Sequence, residues 1–171
     1  MEIIPPVRVT RFQQLEIGEL FVFTHDNGAC LALKMQPQPN QDRNSLVLLG
    51  PNFPSGFGES FILDWQPATV ISYGKNFSVL LPTDPTDWIM SGNRRIPVCI
   101  AVCGQSVWVC TNGGMSPENF FQCYVELSTG KLAQNGLPDY AAYTNKWEIV
   151  LPGAQTSSRP LLKYPLEGAE A

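Results

Sequence analysis

The sequence predicts a mainly β protein: a compact antiparallel barrel or sandwich of about eight to ten strands, with long loops and little helix. Fourteen glycines and fifteen prolines interrupt the 171 residues, as turns do in an all-β protein. Hydrophobic residues make up 44% of the chain and charged residues only 15%, which favours a packed core over disorder.

Short apolar runs bounded by glycine or proline indicate the strands. They occupy residues 19–35, 45–49, 61–65, 69–73, 77–81, 96–111, 120–127 and 147–151, and a return strand begins at Lys131. Helix signals are confined to Arg11–Glu16 and Asp139–Asn145, each long enough for one turn.

The run at 19–35 is predicted to be a hairpin with a three-residue loop at 26–28. This loop places Phe21 opposite Leu33 and Phe23 opposite Leu31, which gathers the large apolar side chains on one face. A two-residue Asn-Gly loop would spread them over both faces, so we predict the first register.

The run VCIAVCGQSVWVC, residues 98–110, is predicted to be a second hairpin with a two-residue turn at 104–105. This turn sets Cys103 opposite Ser106 and Cys99 opposite Cys110. Both faces of the hairpin are apolar, so we expect it to be buried on both sides.

Three cysteines in this hairpin raise the possibility of a thiol or zinc sensor built on Cys99, Cys103 and Cys110. Extended strands arrange ligands in a plane, whereas structural zinc needs a tetrahedral cage. We therefore predict no metal and no cofactor, and interpret the five cysteines as reduced thiols that behave as small buried hydrophobes.

Two weak internal matches suggest a pair of similar β-units. FVFTHDNG at Phe21 resembles WVCTNGG at Trp108, and FSVLLP at Phe77 resembles WEIVLP at Trp147. The predicted organisation is a single β domain over residues 1–152, with an internal boundary near 83–95. A Pro-rich C-terminal tail, which we expect to be mobile, follows over residues 153–171.

The charge balance argues against nucleic acid as a partner. The net charge is −4, and the arginine pair Arg94-Arg95 is too small for a phosphate-tracking surface.

The N-terminus does not resemble a signal peptide, and no apolar run reaches the roughly 18 residues that span a membrane. We expect a cytoplasmic location and no membrane contact.

Catalytic signatures are missing from the sequence, and we predict no catalytic residue. The single histidine, His25, lies beside a hairpin turn, and no motif for a nucleophile, a metalloprotease or a phosphate loop is present. Asp64 next to Trp65 supports an alternative hypothesis: an enzyme or lectin-like protein that binds a small polar ligand such as a carbohydrate. Asp84 and Asp87 are interpreted as acids that cap a turn.

Apolar residues in loops support the main functional hypothesis. We predict a cytoplasmic, non-enzymatic module that binds a partner protein or a second copy of itself. The residues predicted to form its contact surface are Phe53, Phe57, Phe61, Met115, Phe120, Leu161 and Tyr164. The last two belong to a segment, RPLLKYPL, that suits docking as an extended strand on a partner or a strap on its own chain.

Overall fold

The computed structural model describes residues 7–26, 28–37, 44–52, 60–63, 69–90, 98–114, 120–133, 136–152 and 160–165. In this part the predicted class is confirmed: the chain is mainly β, and fifteen strands form antiparallel sheets of six, six and three strands. The sheets are open, as in a sandwich. There are more strands than the eight to ten expected, since several span only two or three residues and leave no periodic pattern.

The first sheet is built from the N-terminal half. Its strands are β1 (Arg8–Thr10), β2 (Leu20–His25), β3 (Gly28–Lys34), β4 (Asn44–Leu48), β5 (Ser60–Leu63) and β6 (Val70–Gly74). They lie in the order β1-β6-β2-β3-β4-β5. A 3-10 helix, Phe12–Gln14, links β1 to β2 where one helical turn was predicted. Strand β7 (Ser78–Leu80) follows β6 along the chain but belongs to the third sheet.

The second sheet is built from the C-terminal half. Its strands are β8 (Ile89–Met90), β9 (Ile100–Cys103), β10 (Ser106–Gly114), β11 (Phe120–Glu126), β12 (Leu132–Ala133) and β13 (Ala142–Thr144). They lie in the order β12-β11-β10-β9-β13-β8. Strand β13 occupies part of the Asp139–Asn145 segment that was a candidate for a helical turn, because pairing with β9 and β8 holds it extended.

The third sheet joins the two halves. It contains β7, β14 (Trp147–Val150) and β15 (Leu162–Tyr164), in the order β15-β14-β7. Strand β15 lies within residues 153–171, the segment interpreted from the sequence as a mobile tail. In the structure this strand is paired along β14, which fixes it on the chain's own surface.

The second hairpin forms with the predicted register. Cys103 is opposite Ser106 in the ladder, and the amide of Cys110 donates to the carbonyl of Cys99 over 2.9 Å. Burial on both sides is also confirmed for its inner residues, since Cys99, Ile100, Ala101 and Val109 are inaccessible to solvent.

The predicted register of the first hairpin is wrong. Phe21 is opposite Ala32 and Phe23 is opposite Cys30, and the ladder ends at the pair His25 and Gly28. The prediction assumed that one face had to collect all the large side chains. In fact both faces of the first sheet are buried, so apolar residues are needed on each.

The core has three parts. A central cluster lies between the sheets and takes side chains from all three of them, among them Leu33, Val125 and Ile149. The outer face of the first sheet carries a second cluster that is completed by Phe12 and Leu15 of the linking segment. A third cluster, with Cys99, Ala101, Cys110 and Tyr124, lies on the opposite face of the second sheet from the central cluster.

Main chains from the two halves also approach each other closely at Gly130. The amide of Gln36 donates to the carbonyl of Gly130 over 2.9 Å. A β-carbon on Gly130 would lie 2.7 Å from the carbonyl oxygen of Lys34 and 2.9 Å from the Cγ2 atom of Ile17. Gly130 also has a φ of 63°, which side-chain-bearing residues rarely adopt.

We expect Gly130→Ala to lower the free energy of unfolding by about 2–5 kcal/mol, since backbone strain and a clash with the first half both contribute. Gly104→Ala is the matched control: its φ is 62°, but nothing lies within 4 Å of an added β-carbon. Its free energy of unfolding should fall by only about 1–2 kcal/mol, the cost of holding a residue with a side chain in the left-handed backbone conformation. Denaturant unfolding measures both, and equal losses would contradict the close approach at Gly130.

Candidate functional site

A groove of about 370 Å³ opens at one end of the third sheet, where the ends of its three strands meet. Leu80 and Pro82 line it from β7 and the residues after it, Trp147 and Glu148 from β14, and Lys163 and Tyr164 from β15. The sequence places aromatic, aliphatic and charged residues here because strands that end together present alternating inward and outward side chains.

The aromatic part of the groove is anchored in the core. The rings of Trp147 and Tyr164 stack, with centroids 6.4 Å apart and planes inclined by 26°. Trp147 is buried and belongs to the central cluster, while Tyr164 is partly buried and packs against it. A ring held by a buried neighbour loses little conformational freedom on contact with a ligand, which favours its use as a binding surface.

A row of three residues crosses the outward face of the sheet beside the groove. Leu80, Glu148 and Lys163 are register neighbours on β7, β14 and β15. The Nζ atom of Lys163 lies 3.0 Å from Oε1 of Glu148, and Lys146 pairs with Asp87 nearby. Leu80 is 49% exposed, so a large aliphatic side chain stands in solvent next to these charges.

The two outer edges of the β7–β14 pair differ. Strand β15 covers the outer edge of β14. On the other side, no strand in the part of the chain that the structure describes pairs with the outer edge of β7. Unpaired N–H and C=O groups on such an edge are able to pair with another extended segment.

The predicted contact residues are only partly described. Tyr164 lies in the wall of the groove, and Leu161 packs against the central cluster, with its amide donating to Ile149 over 2.8 Å. Phe61 lies in β5 and Phe120 begins β11, and their side chains are not described. The residues Phe53, Phe57, Met115, Asp64 and Trp65 lie outside the described residues.

Sequence reasoning did not single out Leu80 and Trp147 as site residues. A signal was available, because both lie in the matching segments FSVLLP and WEIVLP. The match alone did not reveal that these two segments would lie side by side.

The cysteine hairpin places Cys99 and Cys110 side by side, with their sulfur atoms 2.6 Å apart. None of the five cysteines, all of which the structure describes, forms a disulfide. The contact with Cys99, together with burial, raises the pKa of Cys110 well above its usual range. Since the thiolate is the nucleophile and metal ligand, this arrangement favours an inert, protonated thiol.

We expect one fast-reacting thiol in the native protein. Cys103 is partly exposed, whereas the other four cysteines are at most 5% exposed. A soluble disulfide reagent at pH 8 should therefore label Cys103 first and the rest only on unfolding. Cys103→Ser should abolish the fast phase, and a fast phase that persists in this variant would contradict the burial of the hairpin thiols.

The candidate acids and the histidine have local structural roles where they are described. Asp84 caps the 3-10 helix Pro85–Asp87 by accepting from the amide of Thr86 over 2.9 Å, as the sequence indicated. Asp87 forms an ion pair with Lys146, and His25 is the last residue of β2 in the first hairpin. Among the described residues, His, Cys, Asp and Glu side chains form no group of three or more that could hold a metal ion.

Two further findings concern membrane-spanning helices and similarity to known proteins. Within the described ranges, no helix is long and apolar enough to cross a membrane. No protein-family model, curated protein or solved structure matches the chain.

Proposed function

We propose that this chain is a non-enzymatic, cytoplasmic binding module that acts by contact with another protein, and that the groove at the end of the third sheet belongs to its contact surface. The observation that carries the proposal is Leu80, a half-exposed leucine that lines the groove together with the stacked pair of Trp147 and Tyr164. Anchored aromatic and aliphatic groups surrounded by charged residues are typical of the centre and rim of protein interfaces.

The charges around the groove suit a rim role. Lys163 with Glu148 and Lys146 with Asp87 form ion pairs in which the lysine is about half exposed. Exposed pairs of this kind add little to stability, so they are free to orient an incoming partner without a large cost to the fold. Tyr164, predicted from the sequence as a contact residue, lines the groove with Lys146 and Lys163 and packs against the central cluster.

The other hypotheses from the sequence rest on other residues. A site for a small polar ligand such as a carbohydrate would use Asp64 and Trp65. A thiol or zinc sensor would use Cys99, Cys103 and Cys110, and the raised pKa of Cys110 weighs against that chemistry. We therefore favour protein contact at the groove.

Photo-crosslinking tests the proposed function. A benzophenone amino acid at position 80 of the full chain, in the cells that produce it, should give a covalent protein adduct because Leu80 borders the contact surface. The matched control has the same group at position 71, since Ile71 is 41% exposed but lies on the first sheet.

An adduct that forms at position 80, forms again with the same mass from position 164, and is weak at position 71 would support the proposal. An adduct with twice the mass of the chain would identify a second copy as the partner. Equal yields at positions 80 and 71, or no adduct at position 80, would contradict it.

A further inference from the structure

The two six-stranded sheets have the same topology. Each strand of the first sheet has a counterpart in the second sheet whose number is higher by seven. The first sheet has the pairings β1-β6, β6-β2, β2-β3, β3-β4 and β4-β5, and the second has the corresponding pairings β8-β13, β13-β9, β9-β10, β10-β11 and β11-β12. All of them are antiparallel. We call β1–β7 the first unit and β8–β14 the second unit. The link between them, residues 81–88, overlaps the boundary region at 83–95 suggested by the sequence.

The seventh strands of the two units pair with each other. Val79 is opposite Ile149 in the β7–β14 ladder. These are also the third residues of the matching segments FSVLLP and WEIVLP, so they are equivalent in sequence. An antiparallel pair in which equivalent residues face each other has a local two-fold axis between its strands. The other match, Phe21 with Trp108, does not follow this relation, since β2 corresponds to β9 rather than β10.

The two-fold axis relates the outer edge of β14 to the outer edge of β7. On β14 this edge is occupied by β15, which sets Tyr164 opposite Trp147, Lys163 opposite Glu148 and Leu162 opposite Ile149. The equivalent positions are Phe77, which directly precedes β7, and Ser78 and Val79 of β7. No strand from the described residues lies along them.

We propose that the outer edge of β7 accepts an extended segment of a partner protein, which adds to the third sheet as a fourth strand in the position related to β15 by the local two-fold. This inference rests on the proposed function and names its binding mode. Phe77 and Val79 pack against the central cluster but are only partly buried, so an added strand has apolar surface to cover as well as a backbone edge to pair with.

The structure also indicates which sequence the segment carries. Strand β15 turns Leu162 and Tyr164 toward the core and Lys163 toward Glu148 on the outward face. On a segment added beside β7, the inward-facing residues would lie opposite Phe77 and Val79. Because both of these are apolar, the segment again needs apolar residues at positions two apart. The outward position meets Ser78 rather than a carboxylate, so a basic residue is not required there.

A peptide with the sequence of residues 159–166, RPLLKYPL, is a direct probe of this edge. We would add it, with blocked ends, to the isotope-labelled full chain and record amide shifts by NMR up to about 2 mM, which detects binding of a few kcal/mol. The expected result is a set of shifts at Phe77–Leu80.

Two variant peptides separate the β7 edge from exchange with β15 itself. Leu162→Asp in the peptide should weaken binding about tenfold or more, because it places a charge against the apolar face. Lys163→Glu should bind the β7 edge as well as the parent peptide, since Ser78 carries no charge. At the β14 edge the same change would face Glu148 and be repelled.

Shifts at Phe77–Leu80 that are retained with Lys163→Glu and lost with Leu162→Asp would establish strand addition at β7. Shifts confined to β14 and β15, or to groove residues only, would overturn it. No shifts at all would also overturn it, and the crosslinking from position 80 then decides separately whether the groove contacts protein by another mode.

Discussion

The pairing of β7 with β14 is the contact on which the rest of the structure depends. Each of these strands continues from its own six-stranded sheet, so their ladder ties the two units over one core. Ile149 is fully buried at the centre of this ladder, and Trp147 beside it is 2% exposed. Separating the strands would expose the central cluster, and each large apolar side chain brought into water costs about 1.5–3 kcal/mol. The groove depends on this pair, because its lining residues come from β7, β14 and β15 together.

Both faces of each large sheet are buried, which explains why the chain has many apolar residues and few charged ones. The same burial determines which predictions from the sequence succeed. The fold class followed from frequent turns and few charges, and the cysteine hairpin followed from turn chemistry, since Gly104 and Gln105 permit one compact register. The predicted register of the first hairpin is wrong because it was chosen to gather the large apolar side chains on one face. Leu31 and Leu33 enter the central cluster while Cys30 and Ala32 enter the outer one, so hydrophobicity alone could not select the register.

The candidate site was only partly predictable, for a related reason. Tyr164 could be singled out because a tyrosine among prolines and leucines suits an extended contact segment. Leu80 and Trp147 lie in the matching segments FSVLLP and WEIVLP, but the match does not show that these segments pair with each other. Apart from it, an aliphatic residue on a short strand and a tryptophan in a core strand look ordinary in sequence. Strands of two or three residues, such as β1, β8 and β13, are set by their neighbours in the sheet rather than by local propensity. Only the assembled third sheet shows that, among the described strands, one of the two equivalent edges is paired with β15 and the other has no partner strand.

Methyl NOE spectroscopy on the full chain tests whether β7 pairs with β14. Opposed residues in an antiparallel ladder have Cβ atoms about 4.5–5.5 Å apart. If β7 pairs with β14 as described, the methyl groups of Val79 and Ile149 give a direct NOE, and Ile149 gives another to Leu162 on its other side. Contacts from Ile149 to Leu162 without any to Val79 would contradict this pairing, because β7 would then lie elsewhere and the two units would not share their third sheet.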